Sequence, residues 1–200
     1  MEANRKEQIL LKALELYMID GYANVSITDL QSALNIGRGT MYYYFKDKDA
    51  LFEEVVNTYL LAPKQQALKK VPHTVTISGM IEAMLGYLNQ LQGFLDMVEN
   101  KNINTSNVIT VMYTAYSKYP ELYQRARRLY EQELNLWTEA VKNSMRAQEI
   151  RGDVHINTIA RMFLHIKDGY DPARSGVQMD FSIFPEQYNY LYELIRRSDD

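Results

Sequence analysis

The sequence contains no cysteine, and of its 200 residues only 9 are glycine and 5 are proline. Without cysteine there can be no disulfide scaffold, no thiolate zinc site and no cysteine nucleophile. Glycine and proline below their usual shares of about 7% and 5% argue against a turn-rich sandwich, a collagen or a low-complexity chain. No apolar run approaches the ~20 residues of a membrane helix, and the N-terminus lacks the apolar stretch of a secretory signal. We therefore expect a globular, cytoplasmic protein with no membrane segment.

Positive charge is not in excess either. The formal net charge is −3, and residues 1–52 carry six Lys or Arg against seven Asp or Glu. A general basic field is therefore excluded, and any contact with DNA has to come from a few placed side chains. The three histidines lack the spacing and partners of a metal site, so we expect neither a metal nor a cofactor.

The apolar residues recur at helical spacing nearly throughout the chain, which predicts an all-α fold. Ser26-Ile27-Thr28-Asp29 is a capping box that opens a second helix. Gly21 and Asn35 tolerate the left-handed conformation in which helices end, and a third helix is predicted from about Arg38 to Tyr44. We predict a three-helix helix-turn-helix domain at residues 1–50, followed by a larger helical domain at residues 51–200.

The third predicted helix carries the chemistry of the N-terminal domain. At about 100° per residue, Met41 and Phe45 share one face and are expected in the core, whereas Gly39 and Tyr43 point away from it. A glycine on that side allows close approach to a phosphate backbone or a groove floor. The polar groups around this opening suit the phosphate oxygens and base edges of DNA. They belong to Arg38, Thr40, Tyr42, Tyr43 and Tyr44, with Lys48 at the start of a fourth helix.

The three consecutive tyrosines could instead form a packed aromatic cluster. Side chains at three successive helical positions point in three directions, so they cannot all face one core. We therefore favour the interpretation in which this face enters a DNA groove.

Four segments occur in order near the N-terminus: ALELY at 13–17 with Gly21-Tyr22 after it, SITDL at 26–30, GTMYYYF at 39–45 and DKDAL at 47–51. In this order they resemble the DNA-binding domain of the tetracycline-repressor (TetR) family of bacterial transcription regulators. The sequence departs from the family pattern at three positions. Gln31 stands where the family prefers alanine, Asn35 replaces a turn glycine, and Gly37 replaces a serine cap.

The resemblance implies a dimeric, sequence-specific transcriptional regulator, a repressor that a small ligand releases from a palindromic operator in double-stranded DNA. It implies DNA contacts at the positions already named and adds Thr28. We expect base-edge contacts from Arg38, Thr40 and Tyr43, and phosphate contacts from Thr28, Tyr42, Tyr44 and Lys48, with Gly39 at the closest approach.

Residues 53–200 hold eleven of the sixteen tyrosines and the only tryptophan. This aromatic content fits two interpretations equally well, an ordinary core and a pocket for a small apolar or aromatic ligand. The resemblance favours the pocket. Glycines at 79, 86 and 93 line one side of a helix; we expect close packing at the first, and either packing or ligand room at the other two. The candidate ligand-binding residues are Tyr87, Phe94, Tyr113, Tyr116 and Trp137.

The last two predicted helices each carry an apolar stripe. The stripes can be buried within one chain, or can form the four-helix interface of a homodimer that the resemblance implies. The first stripe consists of Ile159, Met162, Phe163 and Ile166, and the second of Tyr188, Leu191, Tyr192 and Ile195.

Two other classes of function remain as alternatives to a ligand-responsive repressor. One is a DNA-anchored helical interaction protein, whose larger domain binds a protein partner instead of a small molecule. The other is a helical enzyme, which we do not favour because no acid, base and nucleophile are grouped at helical spacing.

Overall fold

The computed structural model describes residues 2–97, 103, 105–168 and 181–197. Within these residues the protein is helical without a β-strand, and one antiparallel bridge joins Ile150 to Arg196. The predicted all-α fold is confirmed. The helices are α1 (Glu2–Asp20), α2 (Ile27–Leu34), α3 (Arg38–Tyr44), α4 (Lys48–Val55), a π-helical segment (Val56–Leu61), α5 (Ala62–Lys69), α6 (Ile77–Met97), α7 (Thr105–Lys118), α8 (Pro120–Arg146), α9 (Ile156–His165) and α10 (Ile183–Ile195).

The ends of the first four helices are set by residues beside them in the sequence. Gly21, at φ 79°, follows the last residue of α1. The Ser26 hydroxyl accepts the Asp29 N–H at 3.1 Å while the Ser26 N–H donates to the Asp29 carboxylate at 2.7 Å, so the predicted capping box is confirmed. Asn35 ends α2 in the left-handed conformation at φ 49°. The Asp47 carboxylate accepts a backbone N–H of α4 at 2.8 Å.

The residues fall into two compact units, which we call the first and the second unit. The first unit consists of Met1–Pro63 with Leu95–Ala126, and the second consists of Lys64–Phe94 with Arg127–Asp200. The predicted helix-turn-helix domain lies in the first unit, and its boundary at residue 50 stays a prediction.

The core of the first unit is aromatic around Phe52. This ring is fully buried, and its centroid lies 4.4 Å from that of Tyr22, 5.2 Å from that of Tyr17 and 5.6 Å from that of Tyr119. Tilted and edge-on contacts at these separations are favourable for aromatic rings. The cluster joins α1, α4 and the residue that precedes α8. It therefore stabilises the core of the unit to which α3 belongs.

A wider helical segment lies between α4 and α5. Pro63 occupies the second position of α5, where it has no N–H to donate and its ring crowds the carbonyl group four residues earlier. That carbonyl belongs to Tyr59, inside the π-helical segment. The chain therefore stays helical on both sides of Pro63.

Three aromatic rings stack in the core of the second unit. The ring of Trp137 on α8 lies 5.0 Å from that of Phe163 on α9 and 5.8 Å from that of Tyr188 on α10, with interplanar angles of 8° and 13°. All three rings are fully buried. They hold the middle of α8 against the two helices that follow it.

Four residues that the dimer interpretation places at a subunit interface are instead buried within the chain. Phe163, Tyr188, Leu191 and Ile195 are all at most 8% exposed. That assignment is wrong for these four, because the apolar sides to which they belong close the core of the second unit. The large apolar side chains that α9 and α10 leave exposed are Met162, Tyr190 and Leu194.

Candidate nucleic-acid interface

Helix α3 has two faces of different chemistry. Met41 is fully buried and Phe45 is 3% exposed, which confirms both as core residues. On the other side, Tyr43 is 71% exposed and Tyr42 is 46% exposed. Gly39 is exposed as well, and no described atom comes within 4 Å of the position that a Cβ would take there. The face that the sequence assigns to DNA is thus directed away from the core.

Cationic and aromatic groups are paired on this exposed face. The Arg38 guanidinium lies 5.4 Å from the centroid of the Tyr42 ring. The Tyr43 ring meets the Tyr44 ring edge-on, with centroids 4.9 Å apart. A guanidinium held over a ring keeps its N–H donors at the rim, where they can reach an acceptor outside the protein.

Lys48 is the first residue of α4 and lies against the loop before α2. Its Nζ is 4.2 Å from the centroid of the Tyr22 ring and donates to the Ala23 carbonyl oxygen at 3.4 Å. Partial burial lowers the pKa of Lys48, and the neighbouring charge of Lys118 lowers it further. The first N–H groups of a helix have no partner within it, so an ammonium beside them forms a place that suits an anion such as phosphate.

The neighbouring carboxylate, Asp49, is the centre of a polar cluster. It accepts hydrogen bonds from the Lys118 ammonium at 2.7 Å, from the Tyr119 hydroxyl at 2.5 Å and from the Tyr22 hydroxyl. These bonds, led by that of Lys118, hold the pKa of Asp49 well below its usual range. Burial, together with the bond to Asp49, raises the pKa of Tyr119. The cluster ties the start of α4 to the junction between α7 and α8.

The other candidate DNA contacts belong to the same unit. Thr28 is exposed in the first turn of α2, whereas Thr40 and Tyr44 are half-buried beside the exposed face of α3. All eight candidates therefore lie on α2, α3 and the first residue of α4. Their contacts with DNA stay predictions.

The candidate ligand-binding residues are divided between the two units. In the first unit, Tyr113 is 76% exposed and Tyr116 is half-buried, with a pKa that burial raises to about 12. In the second unit, Tyr87 and Phe94 are half-buried, and Trp137 lies inside the ring stack described above. Their role in binding a ligand stays a prediction.

Tyr87 lines a groove of about 320 Å³ in the second unit, together with Gly79 and Gly86. A Cβ at Gly79 would lie 3.1 Å from a side-chain atom of Val75, so close packing accounts for this glycine. At Gly86 no described atom lies within 4 Å of the Cβ position. Packing against the described residues therefore does not explain Gly86, and the groove leaves room beside it.

Sequence reasoning missed two polar clusters. Asp49 and Lys118 are 69 residues apart, and no local pattern pairs them. Glu133 is fully buried on α8 one turn before Trp137. A carboxylate in the apolar stripe of an amphipathic helix was the available signal for this second cluster.

Two other kinds of site are absent from the part of the chain that the structure describes. It contains no group of three or more side chains that could hold a metal ion. None of its helices combines the length and apolarity needed to span a bilayer.

Comparisons with known proteins agree with the N-terminal geometry. Residues 9–55 match the sequence model of the family described as bacterial regulatory proteins, tetR family. The chain is similar to YhgD of Bacillus subtilis, an uncharacterized HTH-type transcriptional regulator, with 36% identity over 67 residues, covering 34% of this chain and 35% of that protein. It is also similar to the HTH-type transcriptional repressor AcnR of Corynebacterium efficiens, with 28% identity over 85 residues, covering 42% of this chain and 41% of AcnR.

The similarity in sequence spans only about a third to two fifths of the length of these curated relatives. The similarity in fold extends further. A TetR transcriptional regulator from Chloroflexus aurantiacus matches 99% of this chain and 100% of its own, with a TM-score of 0.64 at 19% identity. Residues 9–55 thus match the tetR family, and the fold of the chain is similar to that of a solved TetR regulator.

Proposed function

We propose that this chain, a tetR-family protein by its N-terminal domain and its fold, is a sequence-specific DNA-binding transcriptional regulator that acts as a homodimer. The observation that carries the proposal is the exposed face of α3. Two tyrosine rings and a guanidinium are exposed there around a glycine, while the opposite face closes the core. A short helix with this division of faces suits the major groove, where base edges can be told apart.

The geometry supports different roles for different residues in this interface. Arg38, Thr40 and Tyr43 would contact base edges, because they surround the open position at Gly39. Lys48 would contact a phosphate at the start of α4, and Thr28, Tyr42 and Tyr44 would contact the backbone on either side. Base contacts would set the preferred sequence, whereas phosphate contacts would set position and affinity.

Two copies of α3 would be needed for a stable complex with DNA. In a two-fold dimer they lie ~34–36 Å apart and enter successive major grooves of a palindrome. The second unit offers a surface for this dimer in the exposed side chains of Met162, Tyr190 and Leu194 on α9 and α10. Exposed apolar groups of this size on neighbouring helices suit an isologous helix-to-helix contact.

We further propose that a small apolar or aromatic effector binds the larger helical domain, residues 51–200, and releases the protein from its operator as a repressor is released. Effector and DNA would then favour different conformations, so each must weaken the binding of the other by the same factor. A protein partner in place of a small molecule is the alternative occupant. Titrating the small molecule with and without operator DNA separates the two, because only an effector loses affinity when operator is bound.

The first test is selection of bound DNA from a random pool with the full chain. We expect enriched sites that are palindromic, with half-site centres 10–10.5 base pairs apart or a multiple of that spacing. Enrichment without a palindrome would contradict the dimeric arrangement, and no enrichment would contradict sequence-specific binding.

Two variants then test the roles within the interface. Lys48→Ala should weaken binding to all sequences alike and reduce the slope of log affinity against log salt by about 0.9 for each phosphate that the variant no longer neutralises. Arg38→Ala should also relax the preference at one base position, at a cost of about 1–3 kcal/mol in discrimination. Lys70→Ala, an exposed lysine of the second unit, is the control and should change neither quantity.

A further inference from the structure

A cluster of charges around a buried carboxylate lies beside the aromatic stack of the second unit. Glu133 is fully buried on α8, with the Lys64 ammonium 2.8 Å from one carboxylate oxygen and the Lys167 ammonium 3.1 Å from the other. Lys167 also lies 3.2 Å from the carboxylate of Asp168. The charges of these two cations and two anions sum to zero; Glu133 and Lys167 are buried, whereas the Asp168 side chain is 48% exposed.

Two polar atoms of the stack lack a hydrogen-bond partner among the residues that the structure describes. They are Nε1 of Trp137 and the hydroxyl of Tyr188, and both side chains are fully buried. Burial and the nearby charges of Glu133 and Asp168 raise the pKa of Tyr188, so its hydroxyl keeps its proton and remains a donor. A buried donor without an acceptor costs about 1–3 kcal/mol, and native proteins rarely leave two of them in one place.

The stack itself presents parallel rings from three helices. Trp137, Phe163 and Tyr188 have planes within 13° of one another, and the three centroids are 5.0 to 6.4 Å apart. Offset stacking at these separations is favourable, and a further planar ring can stack on these rings by the same interaction. We call Trp137, Phe163 and Tyr188 the aromatic wall.

We propose that the aromatic wall binds the effector, and that this effector is an uncharged aromatic molecule with a carbonyl oxygen that accepts hydrogen bonds from Trp137 Nε1 and the Tyr188 hydroxyl. This inference rests on the proposed function as an effector-responsive regulator. Both orphan atoms are donors, so the ligand must bring an acceptor. The adjacent charges already cancel, so an additional buried carboxylate would have no counter-ion, whereas a carbonyl oxygen needs none.

The wall is covered by side chains of the protein in this conformation. A ligand can therefore reach it only in a conformation in which those side chains have moved. An effector that binds one arrangement of the core and not the other has the differential affinity that a conformational response requires. Binding at the wall would thus displace α9 and α10, the helices that carry the proposed dimer surface.

The single tryptophan makes the proposal directly testable. The chain has one indole N–H and therefore one such signal in a proton–nitrogen NMR spectrum. It is titrated with acetophenone, with ethylbenzene as the analogue without an acceptor, and with benzoate as the charged analogue. We expect acetophenone to move the indole proton downfield and to bind at least fivefold more tightly than either of the others. Equal affinity for acetophenone and ethylbenzene, or tighter binding of benzoate, overturns the proposal.

One variant removes a donor and keeps its ring. Tyr188→Phe should weaken acetophenone binding about fivefold to tenfold and leave ethylbenzene binding unchanged, because one neutral hydrogen bond is removed and the indole signal of Trp137 is retained. Tyr123→Phe, at an exposed tyrosine of the first unit, is the matched control and should change neither affinity.

The thermal stability of the unliganded variants separates a ligand from a bound water. If the donors lack a partner without ligand, Tyr188→Phe should leave the midpoint of unfolding unchanged or raise it. If a water fills the position, the variant is destabilised and acetophenone has no advantage, which overturns the proposal. Operator binding by unliganded wild-type protein is measured in parallel. Its loss overturns the proposed function, whereas intact operator binding without carbonyl preference overturns only this inference.

Discussion

The cluster around Asp49 gives a prediction about stability that depends on pH. Replacing Asp49 with Asn removes the charge and leaves one acceptor oxygen for the three donors that now meet there. A hydrogen bond contributes about 0.5–1.5 kcal/mol, and somewhat more when one partner is charged. The carboxylate side chain is 52% exposed and that of Lys118 is 43% exposed, so solvent screening keeps the ion pair itself below about 1 kcal/mol. We expect Asp49→Asn to lower the free energy of unfolding by about 1–2 kcal/mol at neutral pH.

The sign of the pH dependence follows from the direction of the pKa shift. The pKa of Asp49 is lower in the folded protein than in the unfolded chain, where it is about 3.9. The stabilisation is therefore complete above the unfolded value and is lost as the pH falls through it toward the folded value. In urea unfolding followed by circular dichroism, wild type and variant should differ at pH 7 and converge below about pH 4.

Two further variants complete this test. Lys118→Met should reduce the effect of Asp49→Asn by about 0.5–1 kcal/mol in a double-mutant cycle, since the two side chains are in contact. Glu53→Gln, on the same helix, is the control and should change the free energy of unfolding at pH 7 by no more than about 0.5 kcal/mol. A difference between wild type and Asp49→Asn that stays constant from pH 7 to pH 3 would refute the electrostatic account and leave only shape and packing.

Three smaller predictions concern the same helices and α6. Ser26→Ala should cost about 1 kcal/mol in urea unfolding by removing the capping box of α2, whereas Ser26→Asp should retain most of it. Gly86→Ala should stabilise the protein by roughly 0.5–1 kcal/mol, since no described atom lies near the added methyl; a loss of stability would show that the groove is filled. Met41→Ala should cost about 2–5 kcal/mol in unfolding free energy, whereas Tyr43→Ala should stay within about 0.5 kcal/mol of wild type and weaken operator binding instead. The reverse result for this last pair would mean that α3 presents its other face.

The features that the sequence predicts correctly are those set by neighbours along the chain. The capping box needs only Ser26 and Asp29, three positions apart, and the left-handed end of α2 needs only Asn35. The two faces of α3 follow from a rotation of about 100° per residue once one core residue, Met41, is fixed. Because these rules act within one or two helical turns, the exposed face of α3 could be predicted residue by residue.

Features that depend on residues far apart in the sequence could not be predicted in the same way. Nothing near Asp49 indicates that Lys118 and Tyr119 meet it, because this contact depends on how the start of α4 packs against the end of α7. Helix α10 shows the same difficulty: it has apolar side chains on more than one side, and periodicity does not say which side is buried. The structure assigns Tyr188 to the core and leaves Tyr190 exposed, so burial within one chain is the alternative that holds for Tyr188.

The charge distribution of the first unit has a consequence for how such a regulator would select DNA. Without a basic field, the protein gains little from non-specific attraction to phosphates. The two cations among the candidate DNA contacts are held by ring faces, Arg38 over Tyr42 and Lys48 over Tyr22, so less side-chain entropy is lost when they bind. Of the two acidic groups near Lys48, Asp49 is paired with Lys118, which weakens its repulsion of a phosphate at the start of α4, whereas Asp29 belongs to the capping box of α2. Few but preorganised contacts raise specific affinity relative to non-specific affinity, and that ratio decides how often an operator is occupied among many competing sites.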